Sequence, residues 1–438
     1  MTTTCVAACS GLCRDPTRSE GTMRRHDSRP PSKRGATCGC LVALVMLVLT
    51  GLLAALVFVA PTLMGHEVAE GVLNNLGPSI ASLAKRVDPK REAELKKLAA
   101  QEDGLAYAAL GKERQSLYIQ LLAGVNSLEQ SFEVEASSVD DIEPSYRAVM
   151  VDHPELFWID GSTHYTYYEG GGPISITPGL TLPLAQVDDV RKRIEATADG
   201  FLATVPSDAD EYTIAKMAYE YLINTTDYVA TADQNQNIQS VFIGHASVCA
   251  GYSRAYQYLL DRAGVFCTYV EGKIPSRNEE HAWNIVRIDG EYSHVDVTWG
   301  DPAYPGAEEA AILGGISYDY LCLTTDEITR DDHRLNDESM WPVCDSMTYD
   351  YYRLSNRLFD AFDVDVLTTS FWDQYESGDG SVCLKFTNDD AYVAARDSLV
   401  AGDLFSQDIQ YLFEQLGKAG STYNYLYVDS LRIIKIFL

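Results

Sequence analysis

Apolar positions along this chain of 438 residues fall into three periods, and each period marks a different kind of element. Tyr252, Ala255, Tyr256, Leu259, Leu260 and Ala263 recur at spacings of three and four, which predicts a helix with one buried face, stopped by Gly264. Around Asp289-Gly290, the runs His281 to Ile288 and Glu291 to Trp299 are rich in Trp, Ile, Val, Tyr and Thr and predict a β-hairpin. If the loop is those two residues, Ile288 pairs with Glu291, and counting outward pairs Trp283 with Asp296 and His281 with Thr298. His281 and Asp296 then project from one face as diagonal neighbours, roughly 7 to 8 Å apart at the backbone. A slip of one residue separates them onto opposite faces. Ala282, Val286, Ile288, Val295 and Val297 fill the other face. The third period is an unbroken run. Cys38 to Gly65 carries no charge, and Leu41 to Ala60 supplies 20 positions dominated by Leu, Val and Ala, which predicts a membrane-spanning helix.

These elements divide the chain. Residues 1–37 read as a disordered basic tail, 38–65 as the transmembrane helix and 66–116 as a helical stalk. An α+β flanking region follows over 117–203, with strands at Tyr165 to Tyr168 and Pro173 to Leu182 and a helix from Val187 to Leu202. Gly170-Gly171-Gly172 lacks the strand, helix and Lys-Ser/Thr of a phosphate loop and reads as a turn. The unit over 204–342 opens with a helix from Asp208 to Asn224, capped by Ser207-Asp208. A C-terminal α+β accessory domain over 343–438 has strands at Tyr349 to Leu354, Ser381 to Phe386 and Tyr423 to Phe437, and helices at Val364 to Tyr375 and Asp390 to Gln415.

Charge adds orientation. The tail holds seven basic and three acidic residues, a net of +4, so it is expected on the cytoplasmic side with the rest of the chain outside. A cleavable signal peptide is the rival reading, but the apolar run is long for one. Of the 34 basic and 63 acidic residues in the chain, 27 and 60 lie beyond the tail, a balance of −33 that repels nucleic acid.

The candidate chemistry lies in three short blocks. Cys249 sits at the first turn of the predicted helix, where unpaired N–H groups and the positive end of the helix dipole favour a thiolate and offer donors to an oxyanion. Ala250 and Gly251 leave room for a substrate carbonyl. His281 is placed to move a proton, and Asp296 to orient it. His294 falls on the same face, but no partner for it is evident, so a structural role is expected. Cys249, Cys267, Cys322, Cys344 and Cys383 follow the apolar run; five is the odd number that one reactive thiol and two disulfides give, although Cys267 and Cys322 in apolar strand-like runs also fit plain core positions. No His-Glu-x-x-His or paired Cys-x-x-Cys occurs there, and neither metal nor cofactor is expected.

Cys249-x-Gly-Tyr, His281-Ala-Trp-Asn-x-Val and His294-Val-Asp-x-Thr-Trp-x-Asp-Pro together resemble the catalytic core of the bacterial transglutaminase-like superfamily, which is related to papain-like cysteine proteases. The resemblance spans about residues 200 to 340, including a tail from Thr325-Asp326-Glu327 to Asp332-His333; Asp152 to Trp158 and the last hundred residues resemble flanks of bacterial members. It implies an α+β fold in which the Cys-bearing helix packs on an antiparallel sheet bearing His and Asp, with Cys249 as nucleophile, His281 as general base and acid, and Asp296 as the orienting group. One oxyanion donor is expected from the Cys249 backbone; Gln234, Gln236 and Gln239 are not assignable as the second. The expected function is a membrane-anchored thiol enzyme acting on peptide or side-chain amides of a protein or peptide substrate. Hydrolysis is favoured because water is always available and no amine-binding feature is visible. Acyl transfer to an amine and a non-catalytic scaffold are the alternatives.

Overall fold

The computed structural model describes residues 2–8, 89–168, 172–302, 315–377, 381–401, 424–437 and a few positions between 407 and 414. The apolar run at 38–65 and the glycines 170 and 171 lie outside the described residues, and among the described residues no helix is long and apolar enough to cross a membrane. The chain forms two compact units, residues 14–102 and a larger one made of residues 1–13 and 103–438. In the smaller, α1 (Pro89–Gln101) is described.

The larger unit begins with strand β1 (Thr2–Ala8), which pairs antiparallel with β3 (Ile159–Tyr168). This corrects the expectation of a wholly disordered tail. Thr2-Thr3-Thr4-Cys5-Val6 is β-branched at four positions, and the edge of β3 offers it a ladder. The sheet is completed by β2 (Phe132–Val134) and β4 (Ile174–Leu180), in the order β1-β3-β4-β2. Helices α2 (Leu105–Ala109), α3 (Lys112–Asn126) and α4 (Ile142–Asp152) pack on one another, with α3 against β2 and α4 against β3. The Asp152 carboxylate accepts from the backbone N–H groups of Ala106 and Tyr107, so the chain from 103 onward, expected as the end of a stalk, packs in the larger unit.

Helix α5 (Val187–Leu202) has the predicted bounds, while α6 (Glu211–Thr225) starts later than expected. The cap is Asp210, whose Oδ1 accepts from Thr213 N at 2.7 Å, rather than Ser207-Asp208. After the two-residue parallel strands β5 (Asp227–Tyr228) and β6 (Ala246–Ser247) comes α7 (Cys249–Ala263), closed by Gly264 in the left-handed region at φ 81°. Behind α7 stands a five-stranded antiparallel sheet of β7 (Cys267–Ile274), β8 (Glu279–Ile288), β9 (Glu291–Val295), β10 (Leu321–Leu323) and β11 (Arg334–Leu335), in the order β10-β9-β8-β7-β11. Short helices α8 (Val297–Gly300) and α9 (Thr325–Arg330) lie in its connections.

The C-terminal region starts with α10 (Tyr351–Leu354), where a strand was expected; Asp350 Oδ1 accepts from the N–H groups of Tyr352 and Arg353 and turns the chain into a helix. Strands β12 (Leu358–Phe359), β13 (Ser381–Phe386), β14 (Asn424–Val428) and β15 (Ile433–Phe437) form a sheet in the order β12-β13-β15-β14. Helices α11 (Val364–Glu376) and α12 (Asp389–Ala401) pack on it through Leu367, Phe371 and Ala395. A second core joins this sheet to the five-stranded one: Val428, Leu431 and Ile433 pack with Ile274, Trp299 and Leu323. Two buried lysines reinforce the join, Lys385 with Asp350 at 2.5 Å and Glu327 at 2.7 Å, and Lys435 with Asp319.

Candidate active site

Cys249 opens α7 as expected. The residue before it, Val248, is extended and carries no side-chain oxygen, so the N-cap position puts no side-chain acceptor on the first-turn N–H groups. Such a helix end offers donors and positive potential to a negative group brought to it. Cys249 is 5% exposed. The turn is held tightly from behind: a Cβ on Gly251 would lie 1.9 Å from Ser247 Oγ and 2.9 Å from the Asn235 carbonyl. Glycine at 251 is therefore required by close approach, beyond the room it leaves for a substrate. The helix is keyed to the sheet by Ser253, which donates to Ala282 O at 3.0 Å, and by Asn284, which donates back to Ser253 O at 3.0 Å.

The hairpin register agrees with the sequence from Ile288↔Glu291 to Asn284↔Val295, and there it stops. The outer pairs expected at Trp283/Asp296 and His281/Thr298 are replaced by a turn into α8. Asp296 causes that departure: its Oδ1 accepts from Trp299 N at 3.1 Å as an N-cap, and its own N–H donates to Tyr320 O at 3.0 Å. Its second oxygen is thereby aimed back at β8. His281 Nε2 donates to Asp296 Oδ2 at 2.6 Å, with both side chains buried. The opposite ring nitrogen, Nδ1, makes no hydrogen bond among the described residues.

Sequence reasoning placed no role on His333, and the structure puts it on the same carboxylate. His333 Nε2 lies 3.1 Å from Asp296 Oδ2 and Nδ1 lies 3.1 Å from the Asp331 carbonyl. The ring is packed edge-on against Trp299, Trp283 and His281, with centroid separations of 4.8, 5.2 and 5.4 Å. Its contact with Asp296 crosses 37 residues, so local periodicity holds no trace of it; the one signal was the Asp332-His333 ending of the resemblance. His294, expected to lack a partner, has two: Trp283 Nε1 donates to its Nδ1 at 3.1 Å, and its Nε2 bonds Thr325 Oγ1 at 3.2 Å. Its structural role stands.

Burial dominates the electrostatics, and paired charge overrides it where the three groups meet. Burial alone would lower the His281 pKa; the charge and hydrogen bond of Asp296, followed by interactions with Cys249, raise it to about 10. For Asp296, burial pushes upward, but His281 and then His333 hold the carboxyl well below its usual range. His294 is lowered to about 3 by burial and by the charge of His333, so it stays neutral. The thiols of Cys267, Cys322 and Cys383 are pushed up by burial, and that of Cys344 to about 12 for the same reason. Cys249, Cys267, Cys322, Cys344 and Cys383 are all free, so the disulfide alternative gives way to core packing.

A cavity of about 310 Å³ adjoins the first turn of α7, bordered by Ala250, Asn235, Gln234, Arg254 and Glu271. The Gln234 amide donates to Thr181 O and that of Gln236 to Asn235 Oδ1, both at 3.1 Å, while the buried Oε1 of Gln239 has no hydrogen-bond partner among the described residues. Histidines 281 and 333 with Asp296 could serve as metal ligands by type. The fit is poor: Oδ2 already accepts from both rings, at 2.6 and 3.1 Å, within the space an ion would take.

The profile of the Transglutaminase-like superfamily matches residues 198–297, a segment that contains Cys249, His281 and Asp296. No curated protein matches the chain. Among solved structures, a TGase is 17% identical over 29% of this chain and 42% of that one, with a TM-score of 0.22. A candidate cysteine protease from Cytophaga hutchinsonii is 15% identical over 32% of this chain and 54% of its own, with a TM-score of 0.21. A candidate protease from Parabacteroides distasonis ATCC 8503 is 11% identical over 40% and 38%, also with a TM-score of 0.21. The chain spans about half or less of the length of each of these structures. Residues 198–297 are thus a transglutaminase-like segment within an α+β core.

Proposed function

We propose that the protein is a thiol enzyme that cleaves peptide or side-chain amide bonds through a thioester on Cys249, with water as the usual acceptor. The observation that carries this reading is the buried 2.6 Å bond from His281 to Asp296, on the sheet against which the uncapped, Cys-bearing end of α7 packs. In the first step the Cys249 proton passes to His281 Nδ1, the nitrogen Asp296 does not hold, and sulfur bonds to the amide carbon. The first-turn N–H groups receive the oxyanion. As the tetrahedral species collapses, His281 returns the proton to the departing nitrogen and the amine or ammonia leaves. Water, deprotonated by His281, then attacks the thioester carbonyl; the C–S bond breaks, the carboxylic acid is released and the thiol is restored. Asp296 keeps Nε2 protonated throughout and stabilises the imidazolium that pairs with the thiolate.

An amine entering in place of water gives acyl transfer by the same steps. The test is product analysis on the purified chain: ammonia or peptide release is expected to need Cys249 and His281 and to persist without added amine. Product that forms only when an amine is supplied assigns transfer instead. Failure of any amide substrate, with slow labelling spread over several cysteines, assigns a binding scaffold.

Attachment to a membrane through residues 38–65, with the enzyme on the side opposite the tail, belongs to the same proposal. Within one chain it excludes the pairing of Thr2–Ala8 with Ile159–Tyr168, because a single crossing puts those segments on opposite sides. Protease accessibility of the amino terminus in sealed vesicles separates the two arrangements.

A further inference from the structure

Asp296 Oδ2 is shared by two buried imidazoles, and the second has no part in the steps above. Both nitrogens of His333 face acceptors. A carboxylate oxygen lies at Nε2 and a backbone carbonyl at Nδ1, and neither of those atoms has a proton to give. Making both bonds requires both ring N–H groups. A second carboxylate oxygen, Asp331 Oδ2, lies 3.9 Å from Nδ1, so the ring stands between two acidic groups. Its aromatic surround of Trp283, Trp299 and Tyr320 excludes water and leaves Asp296 as its nearest counter-charge.

We propose that His333 is a positioning residue of this site, a doubly protonated imidazole that holds Asp296 from the side opposite His281 and sets the pH range over which Cys249 gives up its proton. The proposal rests on the reading of Cys249 as the nucleophile. With His333 charged, the ion-paired state consists of two cations and two anions, Cys249 and Asp296 against His281 and His333, and is neutral as a whole. Without that charge, the same state buries one uncompensated negative charge. The titratable groups that face His333 are His281 on β8, His294 on β9, Asp296 ahead of α8, Tyr320 ahead of β10 and Asp331 and Asp332 on its own loop, with Arg277 above the Trp299 ring. Of these, Asp296 makes the direct side-chain hydrogen bond.

The test is the alkylation rate of Cys249 by iodoacetamide between pH 5 and 10, followed by peptide mapping in the full chain. Loss of a positive charge near the sulfur makes the thiolate harder to form, so His333→Gln, which keeps one donor toward Asp296, is expected to move the midpoint upward on the order of one pH unit. His333→Phe, with no donor, is expected to show at least that shift. His333→Asn, smaller than glutamine and also without the ring's charge, is expected to move the midpoint the same way and serves if both of those variants fail to fold. A midpoint unchanged in whichever of His333→Gln, His333→Phe and His333→Asn folds overturns the inference. The enzyme reading is judged separately in the same assay: a wild-type profile that His281→Ala leaves unaltered ends both claims, whereas dependence on His281 without dependence on His333 ends this one alone.

Discussion

The indole N–H of Trp283 donates to Nδ1 of His294 at 3.1 Å, and this bond fixes the histidine as its Nε2-protonated neutral form, with that proton directed to Thr325 Oγ1. Trp283 in turn lies nearly parallel to His281, at a centroid separation of 6.0 Å and an angle of 21°. His294 therefore holds the indole wall against which the His281 imidazole rests.

That arrangement has a pH signature. The unfolded His294 takes up a proton near its ordinary value, while the folded one, at about 3, does not. Between those values the unfolded state binds more protons, so His294 withdraws stability as pH falls through the window. His294→Gln does not titrate there and is expected to gain on the wild type by roughly 2.5 kcal/mol between pH 7.5 and 4.5. Urea denaturation at the two pH values measures it.

Asp296→Asn keeps an oxygen for the Trp299 cap but removes the charge between two imidazoles. Breaking a buried pair in this way costs about 3 to 5 kcal/mol. Amide turnover is expected to fall by roughly 10²- to 10⁴-fold, the range for a disabled proton carrier. Steady-state rates alongside denaturation midpoints check both parts.

Lys435 reaches from β15 toward the five-stranded sheet and donates to Asp319, which also accepts from Tyr352 Oη. Asp319 precedes Tyr320, whose carbonyl holds the Asp296 N–H at 3.0 Å. Lys435→Met leaves a buried carboxylate unpaired and is expected to destabilise by about 3 to 5 kcal/mol. Adding Asp319→Leu is expected to restore part of the loss, measured as the coupling in a double-mutant cycle.

Gly251→Ala drives a methyl into Ser247 Oγ. A loss of about 1 to 3 kcal/mol is expected from overpacking, together with slower Cys249 labelling as the first turn shifts. Ser247→Ala in the same chain relieves the side-chain clash but not the approach to the Asn235 carbonyl, so partial recovery of the melting temperature is the expected result.

Local chemistry made much of the site readable. The helix from Cys249 to Gly264 and the register beside Asp289-Gly290 follow from spacing and turn type, and they bring His281 toward Asp296. The hairpin count ran too far because Asp296 serves its own helix cap, a local hydrogen bond that competes with the ladder. Asp350 had the same effect at Tyr351–Leu354, turning a β-like run of aromatics into a helix. His333, Lys385 and Lys435 act through contacts tens of residues away in sequence, and no periodicity encodes a partner at that distance.

The most direct measurement is the site-resolved alkylation rate of Cys249, Cys267, Cys322, Cys344 and Cys383 at pH 7 in the native full chain, wild type against His281→Ala. The account predicts that Cys249 reacts at least ten times faster than Cys267, Cys322, Cys344 and Cys383, and that His281→Ala removes the advantage. Equal, slow labelling of all five in the wild type, or a Cys249 rate indifferent to His281, would contradict it.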